Sequence, residues 1–255
     1  MTVLASLPMY DRPEVQAAND RLWAGIRDRL RAQGQPAPDA LTRDGVLWDH
    51  WTNPGLVLSQ TCGLPFRARL HGRVTLVASP DYGLEGCPAG FYRSVLVARA
   101  DDPRATPQAF AGAPLAYNDA LSQSGWGAVW EFARDHAVAL NPGPETGGHL
   151  GSAQAVAQGR ADWAALDAQT WAMIARWDGF AARLRVIGHT RPTPALPFIT
   201  APGRDPGPLR SALAAAIADM AGDDRAILGL RGIVVIAPET YLAVPVPPDP
   251  APSAR

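Results

Sequence analysis

Apolar positions recur at helical spacing across residues 13–31, where Val15, Ala18, Leu22, Ile26 and Leu30 share one face. A short apolar stretch at residues 2–7 precedes them and stops at Pro8-Met9-Tyr10-Asp11, which predicts a strand ending in a turn. Asp11 is placed to cap the helix, with Pro13 in its first turn. The same order returns at Leu56–Gln60, a continuous apolar strand feeding Ser59-Gln60-Thr61-Cys62-Gly63 and a helix from about Leu64. Residues 74–78 predict a third strand, broken at Ser79-Pro80. The turn-rich stretch after Pro80 predicts a crossover between two lobes, and residues 92–98 predict a strand beyond it.

The block that follows alternates strand and helix again. The pattern predicts a short helix at 106–110, a strand at Pro114–Tyr117, a polar loop at 118–125 and a helix at 126–137. After a turn rich in Gly and Pro come a helix at 150–158, a strand at 162–166 and a helix at 168–176. A strand at 184–188 is read as returning to the first lobe, followed by an amphipathic helix at 208–220 and a short helix near 225–230. The proline-rich tail from Val244 is expected to be disordered or to lie on the surface. This alternation predicts an α/β architecture of two lobes. Lobe 1 is residues 1–80 plus 186–255, and lobe 2 is the inserted 81–185. In such sheets ligands sit outside the carboxyl ends of the strands, where loops feed helix starts.

Composition narrows the chemistry. All 23 basic residues are Arg, and none is Lys, against 24 acidic residues and a net charge of -1. A Schiff-base lysine and a phosphate-loop lysine are therefore impossible, and an anion must be held by Arg, hydroxyls or backbone N–H groups. The balanced charge offers no basic stripe, so no nucleic-acid partner is expected. No apolar run is long enough for a membrane span, and the first residues show no basic and apolar export signal. The five His show no metal-ligand spacing, no G-x-G-x-x-G follows a strand, and Gln123-Ser124-Gly125 is not a G-x-S-x-G elbow. No metal and no cofactor are expected. Cys62 and Cys87 are either inert thiols or, in an exported chain, a disulfide.

Three strand-to-helix loops remain as candidates. In Asn118-Asp119-Ala120-Leu121-Ser122-Gln123-Ser124-Gly125, Ser122 and Ser124 are placed to cap a helix or, with Gly125 allowing close approach, to hold an anion. In Thr146-Gly147-Gly148-His149-Leu150-Gly151-Ser152, His149 opens a helix behind two glycines and is the titratable candidate between roughly pH 5 and 8. The hydroxyl-rich Ser59–Gly63 loop adds Thr61. Asp167 ends one strand and starts a helix, as an N-cap or as a hydrogen-bond acceptor for ligand or His149. Tyr10 is placed to wall the cleft.

Taken in order, Ser59-Gln60-Thr61-Cys62-Gly63-Leu64-Pro65, Ala78-Ser79-Pro80-Asp81-Tyr82, Gly86-Cys87 and Phe91-Tyr92-Arg93-Ser94 resemble the phosphonate/phosphate-type substrate-binding proteins of ABC transporters. So do the Asn118–Gly125 and Thr146–Ser152 loops and the run from Gly159 to Asp167. The resemblance covers roughly residues 3 to 200. It implies a type II periplasmic-binding-protein fold with two α/β lobes, a ligand cleft and a hinge. It also implies a small oxyanion gripped by Ser122 and Ser124, with backbone N–H from Gln123 and Gly125. His149 and Asp167 match the family's pocket His and acidic residue, and Tyr10 and Tyr92 its aromatic wall. An ABC permease partner, a monomer and a periplasmic location follow from the same likeness. The alternative is a cytoplasmic enzyme or sensor on this fold, with Ser124, His149 and Asp167 as acid–base candidates for a carboxylate or pyrimidine-type metabolite. Trp48, Trp51, Trp126 and Trp171 either fill the core or line the cleft. Among the arginines, Arg93 is the one nearest these motifs.

Overall fold

The computed structural model describes residues 3–250, so Thr2 of the predicted first strand and the tail beyond residue 250 lie outside the described residues. In chain order the first segment contains β1 (Leu4–Ala5), α1 (Gln16–Ala32), α2 (Leu47–Trp51), β2 (Leu56–Gln60), α3 (Gly63–Pro65) and β3 (Thr75–Asp81). It is followed by β4 (Phe91–Tyr92), β5 (Ser94–Arg99), β6 (Pro114–Tyr117), α4 (Ala128–Asp135), β7 (Asn141–Glu145) and α5 (His149–Ala157). Next come β8 (Trp163–Asp167), α6 (Ala168–Trp177), β9 (Leu184–His189) and β10 (Thr193–Pro194). The chain closes with β11 (Phe198–Thr200), α7 (Gly207–Ala218), α8 (Gly222–Leu228), β12 (Gly232–Val234) and α9 (Pro238–Leu242). These elements divide into two compact units: residues 1–91 with 194–243, and residues 92–193 with 244–255. Each unit is an α/β lobe, as the alternation of strands and helices predicts.

In the first unit the strands are ordered β1-β2-β11-β3-β12. β1 runs parallel to β2, whereas β11 is antiparallel to both its neighbours. The helical face expected of α1 is buried as predicted, with Ile26 and Leu30 fully so. Its cap is different. Val15 occupies the N-cap position without a side-chain bond, while the Asp11 carboxylate accepts from Asn19 Nδ2 at 2.9 Å and Arg43 Nε at 2.7 Å. The break expected at Ser79-Pro80 is absent. β3 pairs with β11 as far as Ala78, and from Ser79 its partner is β12, with Pro80 opposite Ile233. Proline thus falls where the pairing changes partner, and the strand continues to Asp81.

The second unit has the order β7-β6-β8-β5-β9. β6, β7 and β8 are parallel neighbours, so their carboxyl ends share one edge of the sheet, and antiparallel β5 begins at that edge. Alternation along β5 separates two cores. Val95 and Val97 pack with Ala153 and Val156 of α5 and Ile174 of α6. Leu96 and Ala98 pack with Trp126, Val129 and Ala133 on the other face. β7 occupies a Gly/Pro-rich sequence whose composition predicts a turn. It pairs with β6 through backbone register, which composition does not report.

The unit boundaries differ from the expected ones at 80 and 185. Ser79 Oγ donates to the Gly90 carbonyl at 2.6 Å, which keeps the turn-rich segment with the first unit. β9 pairs with β5 through His189 and does not return to the first unit. Thr190 Oγ1 then accepts from the Ser94 N–H at 2.9 Å, so the chain leaves the second unit only at residue 193. The tail is also assigned to the second unit: Pro247 is buried, and Trp126 Nε1 donates to the Pro248 carbonyl at 2.8 Å. Among the described residues no helix is long and apolar enough to cross a membrane.

Leu96 is fully buried in one of the two cores of the second unit. Leu96→Ala is expected to lower unfolding free energy by about 2–5 kcal/mol, read from denaturant titration; a loss under about 1 kcal/mol counts against this face of β5 being close-packed.

Candidate functional site

β6 delivers the chain to Asn118, and a π-helical turn, Gln123–Gly127, leads into α4. Ser122 is the cap of that turn. Its Oγ accepts from the Gly125 N–H at 2.9 Å, and its carbonyl accepts from the N–H groups of Trp126 and Gly127. Local capping therefore takes the Gly125 amide and uses the Ser122 hydroxyl as an acceptor, which leaves the hydroxyl hydrogen able to donate. Gln123 and Ser124 are buried between them, and among the described residues nothing takes the Ser124 N–H.

The second turn is tied to the first by backbone. The N–H groups of Thr146 and Gly147 donate to the carbonyls of Tyr117 and Asn118, each at 2.9 Å. Gly147 adopts φ 76°, a left-handed conformation that glycine accepts without strain. Thr146 Oγ1 shares a 2.7 Å hydrogen bond with Ser152 Oγ, so this hydroxyl too is engaged within the loop. α5 then starts at His149, with Gly148 as an N-cap that has no side-chain bond.

These two helix starts meet through side chains. Ser124 Oγ lies 2.7 Å from His149 Nε2. Ser94 Oγ donates to the Ser124 carbonyl at 2.9 Å, which anchors the turn to the first residue of β5. Ser94 lies opposite Asp167 in the register, and Asp167 caps α6 by accepting from the Thr170 N–H at 2.9 Å. Asp167 is thus the predicted N-cap, and it is not the partner of His149. The His149 Nδ1 is buried without a hydrogen-bond partner.

That environment sets the charge of the imidazole. Burial pushes the His149 pKa down to about 4, against a weaker opposing effect of the Ala165 backbone. Although the residue keeps partial exposure, its Nδ1 does not, and the ring is neutral at pH 7. The expected titration between pH 5 and 8 is therefore displaced to acid. A neutral imidazole leaves two proton arrangements. With the proton on Nε2, the ring donates to Ser124 Oγ and the serine hydrogen is free for a third group. With the proton on Nδ1, the serine donates to the ring and has nothing left to offer.

Asn118 is a positioning group that the sequence reading does not single out. A Cβ on Gly125 would lie 1.5 Å from Asn118 Oδ1, so the asparagine side chain occupies the space that glycine leaves. The one sequence signal for it is the glycine itself. Ser94 carries no such signal, since its role depends on strand register.

Other expected residues are distributed as follows. Tyr92 is fully buried at the start of the second unit. In the first unit, Thr61 is buried at the end of β2; its N–H donates to the Pro197 carbonyl at 3.0 Å, and its Oγ1 has no partner. Tyr10 is half-buried and meets Tyr82 edge-on with ring centroids 5.2 Å apart. The tryptophans are mainly core. Trp51 and Trp126 are buried, Trp48 packs edge-on against Trp51, and Trp171 lies against the core that α5 and α6 form with Val95 and Val97. Cys62 and Cys87 are unlinked.

Two outcomes test this geometry. Gly125→Ala must displace Asn118 and is expected to cost about 1–3 kcal/mol in unfolding experiments, most of it recovered in the Asn118→Ala/Gly125→Ala double variant. The second concerns pH. A His whose folded pKa lies below its unfolded value of about 6.5 binds more protons unfolded, so its stabilisation is present above pH 6.5 and is lost as pH falls toward 4. Melting temperatures of the wild type should therefore fall more steeply across that window than those of His149→Gln; equal slopes would refute the buried neutral imidazole.

Comparison with known proteins agrees with the architecture. No curated protein matches the sequence. PhnD1 from Prochlorococcus marinus, solved with methylphosphonate, is similar in structure with a TM-score of 0.69 at 15% identity, covering 94% of both chains. A binding protein component of an ABC phosphonate transporter from Pseudomonas aeruginosa gives 0.64 at 15% identity, covering 94% of this chain and 83% of the other. XAC2383 from Xanthomonas citri, solved with chloride ion, gives 0.70 at 18% identity over 93% of each. At such identities the structures report the fold alone. Family membership comes from the sequence itself: residues 61–241 match the description "ABC transporter, phosphonate, periplasmic substrate-binding protein", and the chain belongs to that family of solute-binding proteins.

Proposed function

We propose that this chain captures a small oxyanion-bearing solute, a phosphonate, phosphite or phosphate, in the periplasm and presents it to an ABC permease without transforming it. The observation that carries this reading is the Ser124–His149 contact at two adjoining helix starts. Helix starts favour anions through their free N–H groups and the positive end of the helix dipole. The Ser124 amide, the Ser124 hydroxyl and the first amides of α5 are the donors. An anion selects the arrangement in which His149 Nε2–H donates to Ser124 Oγ, since only then is the serine hydrogen available. Ser122, Gly125 and Thr146 act one step back by shaping the two turns, and Asp167 holds the start of α6. Gln123 and Tyr92 are further candidates in the second unit, as Thr61 and Tyr10 are in the first. The binding protein is proposed to act as a monomer.

The same 2.7 Å contact is what a serine nucleophile and its base require, and it motivates the enzyme reading. A binder is favoured because, among the described residues, no carboxylate meets His149: its Nδ1 is buried and the backbone of Ala165 is the group that acts on the ring, whereas a catalytic imidazole is oriented there by a carboxylate.

Titration calorimetry on ligand-stripped protein with methylphosphonate, phosphite and phosphate tests the proposal. Wild type is expected to bind at least one of them, and Ser124→Ala to weaken it by about 1–3 kcal/mol, the value of a hydrogen bond to a charged group. An unaltered dissociation constant in the variant would reduce Ser124 to a structural link between two helices.

A further inference from the structure

The proposed site lacks an evident full positive charge. His149 is neutral, the sequence holds no lysine, and the donors so far named are hydroxyls and amides. Arg93 stands one residue from the junction. It is half-buried, yet its side chain makes no hydrogen bond, ion pair or ring contact among the described residues. Its carbonyl accepts from the Ala168 N–H at 3.1 Å, which pins the backbone beside the start of α6. Asp167, opposite Ser94 in the register, forms no ion pair with it.

Strand alternation says which face Arg93 shares. Ser94 has the parity of Leu96 and Ala98, and its hydroxyl reaches Ser124 on the α4 side. Arg93 lies between β4 and β5, and its carbonyl extends the β5 pairing by one residue, so it continues the parity of Val95 and Val97, whose face packs against α5 and α6. It also sits at the sheet edge from which both helices start, α5 with His149 and α6 with Ala168. A cation beside helix N-termini is disfavoured by their dipoles, and a half-buried guanidinium without a partner forgoes its hydrogen bonds. Local conflicts of this kind mark places where a ligand completes the electrostatics.

We infer that Arg93 supplies the charge that neutralises the bound anion and sets the preference for anionic over neutral solutes. This rests on the oxyanion reading given above. A guanidinium presents paired N–H donors that match two oxygens of a phosphonate, which a hydroxyl cannot do alone.

Calorimetry with methylphosphonate on wild type, Arg93→Gln, Arg93→Lys and Ser124→Ala decides the matter, with melting temperature as the check on folding. Arg93→Gln is expected to lose about 10- to 100-fold in affinity, and Arg93→Lys to fall between it and wild type. Wild-type affinity should also weaken between about 0.05 M and 0.5 M salt more than that of Arg93→Gln. A folded Arg93→Gln that binds like wild type while Ser124→Ala is weakened overturns the role of Arg93 and leaves the oxyanion site standing. Should Arg93→Gln fail to fold, a folded Arg93→Lys with weakened affinity and retained salt dependence would support the role, and an affinity unchanged in Arg93→Lys or a wild-type affinity indifferent to salt would overturn it. If wild type binds neither methylphosphonate, phosphite nor phosphate, the oxyanion reading falls and the role of Arg93 falls with it.

Discussion

The hydrogen bond between Ser124 Oγ and His149 Nε2 links two turns that begin separate helices. The first turn is built by the Ser122 cap, and the second is tied to it by backbone donation to Tyr117 and Asn118. The serine–histidine contact joins their side chains, and it brings a half-buried imidazole against a hydroxyl at a place rich in helix-start amides. Burial then holds the imidazole neutral, so what it gives the site is a directed hydrogen bond and not a charge. The anion recognition proposed above would therefore combine the charge of Arg93 with aligned neutral dipoles, which a preorganised protein interior supplies more effectively than water does.

Alignment of that kind needs a rigid base, and the sheet of the second unit provides it. β6 and β8 carry Tyr117 and Asp167 to the same edge in parallel, while β5 enters antiparallel with Ser94 beside them. Because side chains alternate, one strand serves both faces: Ser94 is tied to the Ser124 turn, and Val95 and Val97 pack against α5 and α6. The tail adds a bond to Trp126, two residues beyond Ser124 in the same turn. Of the tryptophans that the sequence left between core and cleft, Trp126 and Trp171 pack in the cores of the second unit and Trp51 and Trp48 in that of the first.

Relatives of known structure share the fold at only 15–18% identity. Such divergence is compatible with one architecture because cores tolerate exchange of apolar residues when volume and pattern persist. The fold is established by comparison, while the roles proposed for individual side chains at the sheet edge rest on their geometry in this chain.

Much of this was legible in the amino-acid order. The period of apolar residues located α1, β2, β6 and the helices after Asp167 and Pro206, because burial of one face is a local property of the chain. The lack of lysine limited the groups able to hold any anion to arginine, hydroxyls and backbone N–H groups, and the resemblance supplied the oxyanion. Sequence alone left undecided everything that depends on register and on contacts between distant residues. That Ser124 meets His149, that Asp167 serves α6 and not the imidazole, and that Pro80 is carried inside a strand are consequences of how the sheets pair. The displacement of the His149 pKa is of the same kind, since a side chain's solvation is set by neighbours that only the folded chain assembles.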